Sequence, residues 1–199
     1  NYTIYKMKNL VEGFTKQLLE ALDIAHKAVL TKKNNIQNIV VTGLGGSGIG
    51  GTILSELVQS ECPVPIIVNK DYFLADFVNS NSLVIISSYS GNTEETLSAM
   101  KQAIDKNAQI VCVTSGGEVQ AIAEKYKYDT IIIPGGHPPR SCIGYSLVQL
   151  LKVIQFNGFV KTDLLNQVQS TISFLDAERE AIKVEASIIA KKLLHKIPV

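Results

Sequence analysis

The chain has 199 residues, 46% of them hydrophobic and 19% charged, which suits one domain, or one domain with an appendage, and excludes wholesale disorder. Its formal net charge is +1, from 19 basic and 18 acidic residues. No bulk field therefore draws it to nucleic acid or to an anionic membrane, and any anion it binds must be gripped locally.

Residues Lys6–Leu30 read as a first helix, with Leu10, Phe14, Leu18, Leu22 and Ala25 on one face. After it, short β-branched runs alternate with longer amphipathic segments. The expected strands are Asn38–Thr42, Pro65–Asn69, Leu83–Ser88, Gln109–Thr114 and Thr130–Pro134. Several are apolar on both faces, as strands covered by helices on each side are. The expected helices between and after them are Ile49–Gln59, Glu94–Lys106, Val119–Lys125 and Ser141–Phe156. Strand–helix alternation implies right-handed crossovers and a parallel sheet, an α/β fold. From Lys161 to Lys196 the strands stop. Leu164, Leu165, Val168, Ile172 and Leu175 form one apolar stripe, and Ile182, Ile188, Ile189, Leu193 and Leu194 continue it, as one long helix or a helical pair. The expected division is a ligand-binding domain over 1–160 and a helical connector over 161–199.

The cysteines Cys62, Cys112 and Cys142 are odd in number, far apart and without a C-x-x-C pair, and Cys112 sits in the apolar run IVCVT. That pattern argues against a disulfide framework or a zinc site and for a reducing cytoplasm. The start, NYTIYKMKNL, has neither the apolar core nor the small-residue cleavage site of a signal peptide. No apolar stretch approaches the roughly 18 residues that a membrane helix needs. The missing initial methionine and the stop at Lys196-Ile197-Pro198-Val199 read as an excised piece of a longer protein.

Three stretches carry the candidate chemistry. In NIVVTGLGGSGIGG a strand runs into glycines and then into a helix. Glycine lets backbone approach a ligand, and a helix start offers unpaired N–H groups with a partial positive charge. Gly43-Leu44-Gly45-Gly46-Ser47-Gly48 also fits the dinucleotide pattern G-x-G-x-x-G. That pattern wants an acid ending the second strand, where Asn69 stands, with Asp71 two residues on. The alternative is that these glycines only make a tight turn and close helix–strand packing. The second stretch, LVIISSYSGNTEET, ends a strand in hydroxyls: Ser88, Ser90 and Thr93 around Gly91 and Asn92. Asn92 followed by Glu95 has the form of a capping box, but a cap needs one side-chain oxygen and this turn supplies several. A phosphate monoester accepts such hydrogen bonds without a lysine, and the G-K-S/T of a P-loop is absent. The third, GGHPPRSCIGYS, places Arg140 just before a helix, against the dipole, as an anionic ligand or intermediate would require; a surface ion pair would explain it as well. His137 in that loop titrates near neutrality but has prolines for neighbours, and His26 and His195 sit in helical segments with no evident role.

Together these stretches resemble the SIS (sugar isomerase) domain family, and within it the bifunctional phosphoglucose/phosphomannose isomerases. GLGGSGIGG, SYSGNTEET and PPRSCIGYS match that group's motifs in order and spacing, across roughly residues 35–150. The resemblance implies a three-layer sandwich, flavodoxin-like or Rossmann-like, with a five-stranded parallel sheet flanked by helices. It implies that Gly46 and Ser47 contact the sugar, that Ser88, Ser90 and Thr93 bind the phosphate, and that Arg140 stabilises the negatively charged intermediate. The implied reaction is aldose–ketose isomerisation of glucose 6-phosphate or mannose 6-phosphate to fructose 6-phosphate, with no metal or organic cofactor. It needs a general base and an electrostatic stabiliser for the enediolate. In that family the base glutamate, a ring-opening histidine and a lysine lie in a second SIS domain, which Ile197-Pro198-Val199 would introduce. The expectation is a piece that binds the phosphate end, does not turn over alone, and forms a homodimer that covers the apolar helix stripes. The alternatives are a non-catalytic phosphosugar-sensing module and a dinucleotide-binding domain.

Overall fold

A computed structural model describes residues 2–194 and 196; His195 and Ile197-Pro198-Val199 lie outside the described residues. The order of elements is α1 (Tyr2–Glu12), α2 (Phe14–Lys27), β1 (Asn38–Thr42), α3 (Gly46–Val58), β2 (Ile66–Asn69), β3 (Ser82–Ser88), α4 (Glu94–Asp105), β4 (Gln109–Thr114), α5 (Gly117–Tyr126), β5 (Asp129–Ile132), a 3-10 turn (Pro139–Ser141), α6 (Ile143–Asn157), α7 (Leu164–Ala177) and α8 (Arg179–Leu193). The five strands form one sheet in the order β2-β1-β3-β4-β5, and every pairing is parallel. Among the described residues no helix is long and apolar enough to cross a membrane.

The three layers follow from the period of two along each strand. Ile39, Val41, Leu83, Ile85, Val111 and Val113 face a core completed by α2, α3, α6 and α7. Their sequence neighbours Val40, Val84, Ile86, Ile110 and Cys112 face the other core, against α4 and α5. Both faces are dry, which is why these strands read as unbroken apolar runs. In α7, Leu164, Leu165, Val168 and Ile172 are buried in the first of these cores. Asp163 caps that helix by accepting from the Asn166 amide, which, with the Gln155 amide, holds its carboxyl below the usual carboxylate range. By contrast α8 buries nothing, and Ile182, Val184, Ile188, Ile189 and Leu193 on it are exposed. Asp129 at the start of β5 ties down the chain ahead of β1. It accepts from the Thr31 amide at 2.8 Å and from Lys33 Nζ at 2.8 Å.

Three local expectations shift. The first helix is two helices, broken at Gly13, where the missing side chain makes a helix interior about 1 kcal/mol less favourable than alanine. The helix expected from Ile49 starts at Gly46, so the glycine run is already helical. Propensity reads glycines as loop; packing reverses it here, because a Cβ on Gly51 would stand 3.0 Å from the Val41 side chain. The last strand begins and ends earlier than expected, at Asp129–Ile132, although the Ile133 amide still bonds to Thr114 O.

Candidate functional site

The strand order reverses direction between β1 and β3, and in open α/β sheets ligands bind beyond the carboxyl ends of the strands at such a point. The first two candidate stretches follow these two strands. At the first, Gly45 adopts φ +57° and α3 begins with no side-chain cap. Gly43 has to be glycine because an added Cβ would lie 2.6 Å from Ser87 O, and Gly48 because one would lie 2.7 Å from Gly43 O. These two serve close packing, while Gly46 and Ser47 reach the pocket.

At the second stretch the chain turns sharply after Ser88. The Ser88 hydroxyl accepts from the Gly91 amide and donates to Thr93 Oγ1 at 3.2 Å, so Ser88 lies beneath the turn. Thr93 occupies the cap position of α4 but makes no capping bond, and the first amides of that helix have no side-chain partner. The capping box whose form Asn92 and Glu95 have, the alternative reading of this turn, is not made. Asn92 Oδ1 instead accepts from the Glu118 amide at 2.9 Å, in the first turn of the neighbouring α5. Further bonds brace the turn from β4: Ser115 donates its amide and its hydroxyl to Tyr89 O, and the Val119 amide reaches Gly91 O.

The third stretch closes over both. The His137 amide donates to the Tyr89 hydroxyl at 3.0 Å, and a Cβ on Gly46 would lie 3.4 Å from Pro139 O. Burial pushes the Tyr89 hydroxyl's pKa up. The result is a pocket of about 80 Å³ lined by Leu44, Gly46, Ser47, Tyr89, Ser90, Thr93, Pro139, Cys142 and Ser146. Two helix starts without side-chain caps therefore meet in one place with five hydroxyl-bearing residues, Ser47, Ser90 and Thr93 of the first two stretches among them. No carboxylate, imidazole or cation is among the lining residues.

The expected site residues do not all converge. Gly46, Ser47, Ser90 and Thr93 line this pocket, and Ser88 supports it from below. Arg140 is exposed in the 3-10 turn and lines a different, largely apolar groove of about 340 Å³ between α1, α2 and α8. Among the described residues it makes no ion pair or side-chain hydrogen bond. Glu94, at the start of α4, accepts from the Tyr72 hydroxyl at 3.4 Å and does not line the pocket. His137 contributes its backbone, not its ring, to the loop contacts. Asp71, the nearest acid after β2, accepts from the Tyr72 amide. Leu44, Tyr89, Pro139, Cys142 and Ser146 were not named as site residues from the sequence. Leu44 stands inside GLGGSGIGG, Tyr89 inside SYSGNTEET and the others inside PPRSCIGYS, so membership of the motifs was the available signal.

The sequence of the chain is 41% identical over 201 aligned residues to a bifunctional phosphoglucose/phosphomannose isomerase of Caldicellulosiruptor bescii, covering 95% of this chain and 58% of that protein. This chain is a homologue of the bifunctional phosphoglucose/phosphomannose isomerases. A second of these isomerases, from Thermoplasma volcanium, is 38% identical over 88% of this chain and 55% of its own length. The chain thus spans little more than half the length of these two isomerases. No protein-family model matches it. In fold it is similar to a candidate phosphosugar isomerase from Clostridium difficile, with a TM-score of 0.72 over 94% of this chain and 57% of that one, at 19% identity.

Proposed function

We propose that this chain is the phosphosugar-binding portion of an isomerase that interconverts glucose 6-phosphate, mannose 6-phosphate or both with fructose 6-phosphate. The observation that carries this reading is the meeting of the α3 and α4 starts with the hydroxyls of Ser47, Ser90 and Thr93 in one pocket. A phosphate dianion satisfies such donors without a lysine. At about 80 Å³ the pocket is smaller than the ~300–1,000 Å³ of a whole small-ligand site. It takes the phosphate end and leaves the hexose along its rim. Ser90 and Thr93 hold phosphate oxygens, and Ser88 orients Thr93. Arg140 lines the neighbouring groove and has no carboxylate partner among the described residues; it adjoins the lining residue Pro139, and turned towards the pocket its side chain would stabilise the enediolate's charge.

Isomerisation moves a proton from C2 to C1, so a base must reach both carbons. The pocket lining offers none, which supports a chain that binds but does not turn over by itself. The base and the rest of the sugar site then come from a second domain, with α8, rather than the core-packed α7, leading to it. The exposed apolar residues of α8 support pairing with a second copy, and sedimentation should show association that rises with concentration. Three free cysteines fit a cytoplasmic setting.

Calorimetric titration with fructose 6-phosphate, fructose and inorganic phosphate tests the binding. Fructose 6-phosphate should bind and fructose should not. The double variant Ser90→Ala/Thr93→Ala removes two hydrogen bonds to a charged group and should weaken binding roughly a hundredfold. Unchanged affinity in a folded double variant would remove the phosphate from this turn.

A further inference from the structure

Gln17 stands on the buried stripe of α2, beside Leu18 and Ala21, and is 9% exposed. A glutamine there must find partners for both ends of its amide. It finds both in the third stretch. Nε2 donates to the Ser141 carbonyl at 2.7 Å, and Oε1 accepts from the Gly144 amide at 2.9 Å. These anchors bracket Cys142, which with Pro139 and Ser146 is the third stretch's contribution to the pocket lining. The fit is close: a Cβ on Gly144 would stand 2.5 Å from Gln17 Oε1. No residue of α6 caps its own helix start, so Gln17 also satisfies one of its first amides.

We propose that Gln17 is a positioning residue that sets the Pro139–Cys142 wall against the hexose, and so determines how tightly the sugar, rather than the phosphate, is held. This rests on the phosphosugar reading above. The phosphate donors are Ser47, Ser90, Thr93 and the first amides of α3 and α4, none of which bonds to Gln17. On this reading the carbons beyond the phosphate pass along the remaining lining, whose exposed rim is Leu44 on one side and Pro139 on the other. Losing either bond of Gln17 frees that wall to move. A shift on the order of 1 Å weakens contacts to the sugar and leaves the phosphate contacts in place.

The test compares wild type, Gln17→Met and Gln17→Glu by calorimetric titration with fructose 6-phosphate and with inorganic phosphate, alongside thermal melting. Gln17→Met is expected to raise the Kd for fructose 6-phosphate about tenfold and to leave that for phosphate within about twofold. Gln17→Glu keeps an acceptor for Gly144 but sets a carboxylate oxygen against the Ser141 carbonyl, and should raise the Kd for fructose 6-phosphate at least as much. A lowered melting temperature with the wild-type ratio of the two Kd values would overturn the proposal, because it would make Gln17 a stability residue only. Equal weakening of both ligands, or loss of the fold in both variants, would overturn it too. Failure of the wild-type chain to bind fructose 6-phosphate would instead defeat the phosphosugar reading, and this proposal with it.

Discussion

Gly91→Ala should abolish sugar-phosphate binding and lower the melting temperature by roughly 6–12 °C, as about 3 kcal/mol does in a domain of this size. Two causes act together. Gly91 holds φ +70°, a conformation that L side chains rarely adopt, and an added Cβ would stand 1.8 Å from the carbonyl oxygen of Gly116. Neither side can yield cheaply. The Gly116 carbonyl already accepts from Thr114 Oγ1 at 2.8 Å, and the turn that contains Gly91 is braced through Tyr89 O and Asn92 Oδ1. Moving Gly91 away therefore drags Ser90 and Thr93 off the pocket. Gly45 is the control: its φ is +57°, but a Cβ there meets nothing within 4 Å, so Gly45→Ala carries only the backbone term, about 1–2 kcal/mol. Differential scanning calorimetry and the same titration read both variants. A Gly91→Ala chain that melts within about 2 °C of wild type and binds normally would show that this turn is not what the site depends on.

Ile154→Ala should be comparably destabilising, about 3 kcal/mol and again roughly 6–12 °C, yet leave the Kd for fructose 6-phosphate within about twofold at low temperature. Ile154 is fully buried on α6, in the core that α2, α6 and α7 share with one face of the sheet. Its removal leaves a cavity whose lining loses both transfer energy and dispersion contacts. The site draws on the opposite end of α6, through Cys142 and Ser146, and a cavity near the helix's last turn does not reach it. The two variants separate holding the fold together from shaping the turn. Loss of affinity in Ile154→Ala well below its melting temperature would mean that α6 moves as a rigid lever, and that the pocket is far less local than its hydrogen bonds suggest.

On the proposed reading the phosphate is held by hydroxyls and amides rather than by lysines, which fits the chain's near-neutral charge. Attraction is then short-ranged and directional. Helix starts contribute about 0.3–1 kcal/mol each to a nearby anion, and the larger share comes from charge-assisted hydrogen bonds whose geometry the braced turn fixes in advance.

The sequence by itself determined the layers. Runs such as NIVVT and SLVIIS are apolar on successive residues, and such strands are stable only between two helical layers, so α/β alternation and a parallel sheet followed from local pattern alone. It also marked the two strand-to-helix turns that meet in the pocket, by the glycines of the first and the hydroxyls of the second. Tertiary structure decided what those residues do there. Asn92 looked like a cap for its own helix, and its side chain went to α5, since β4 brings that helix start within 2.9 Å. Arg140 looked aimed at the ligand, and the 3-10 turn points it to another groove. The glycines after Gly45 looked like loop, and contact with β1 made them helix. Gln17 carried no signal in the sequence, because its partners lie 124 and 127 residues away. Periodicity is written along the chain, so a sequence displays it. A hydrogen bond between distant segments depends on where the fold places both ends, and no local pattern encodes that.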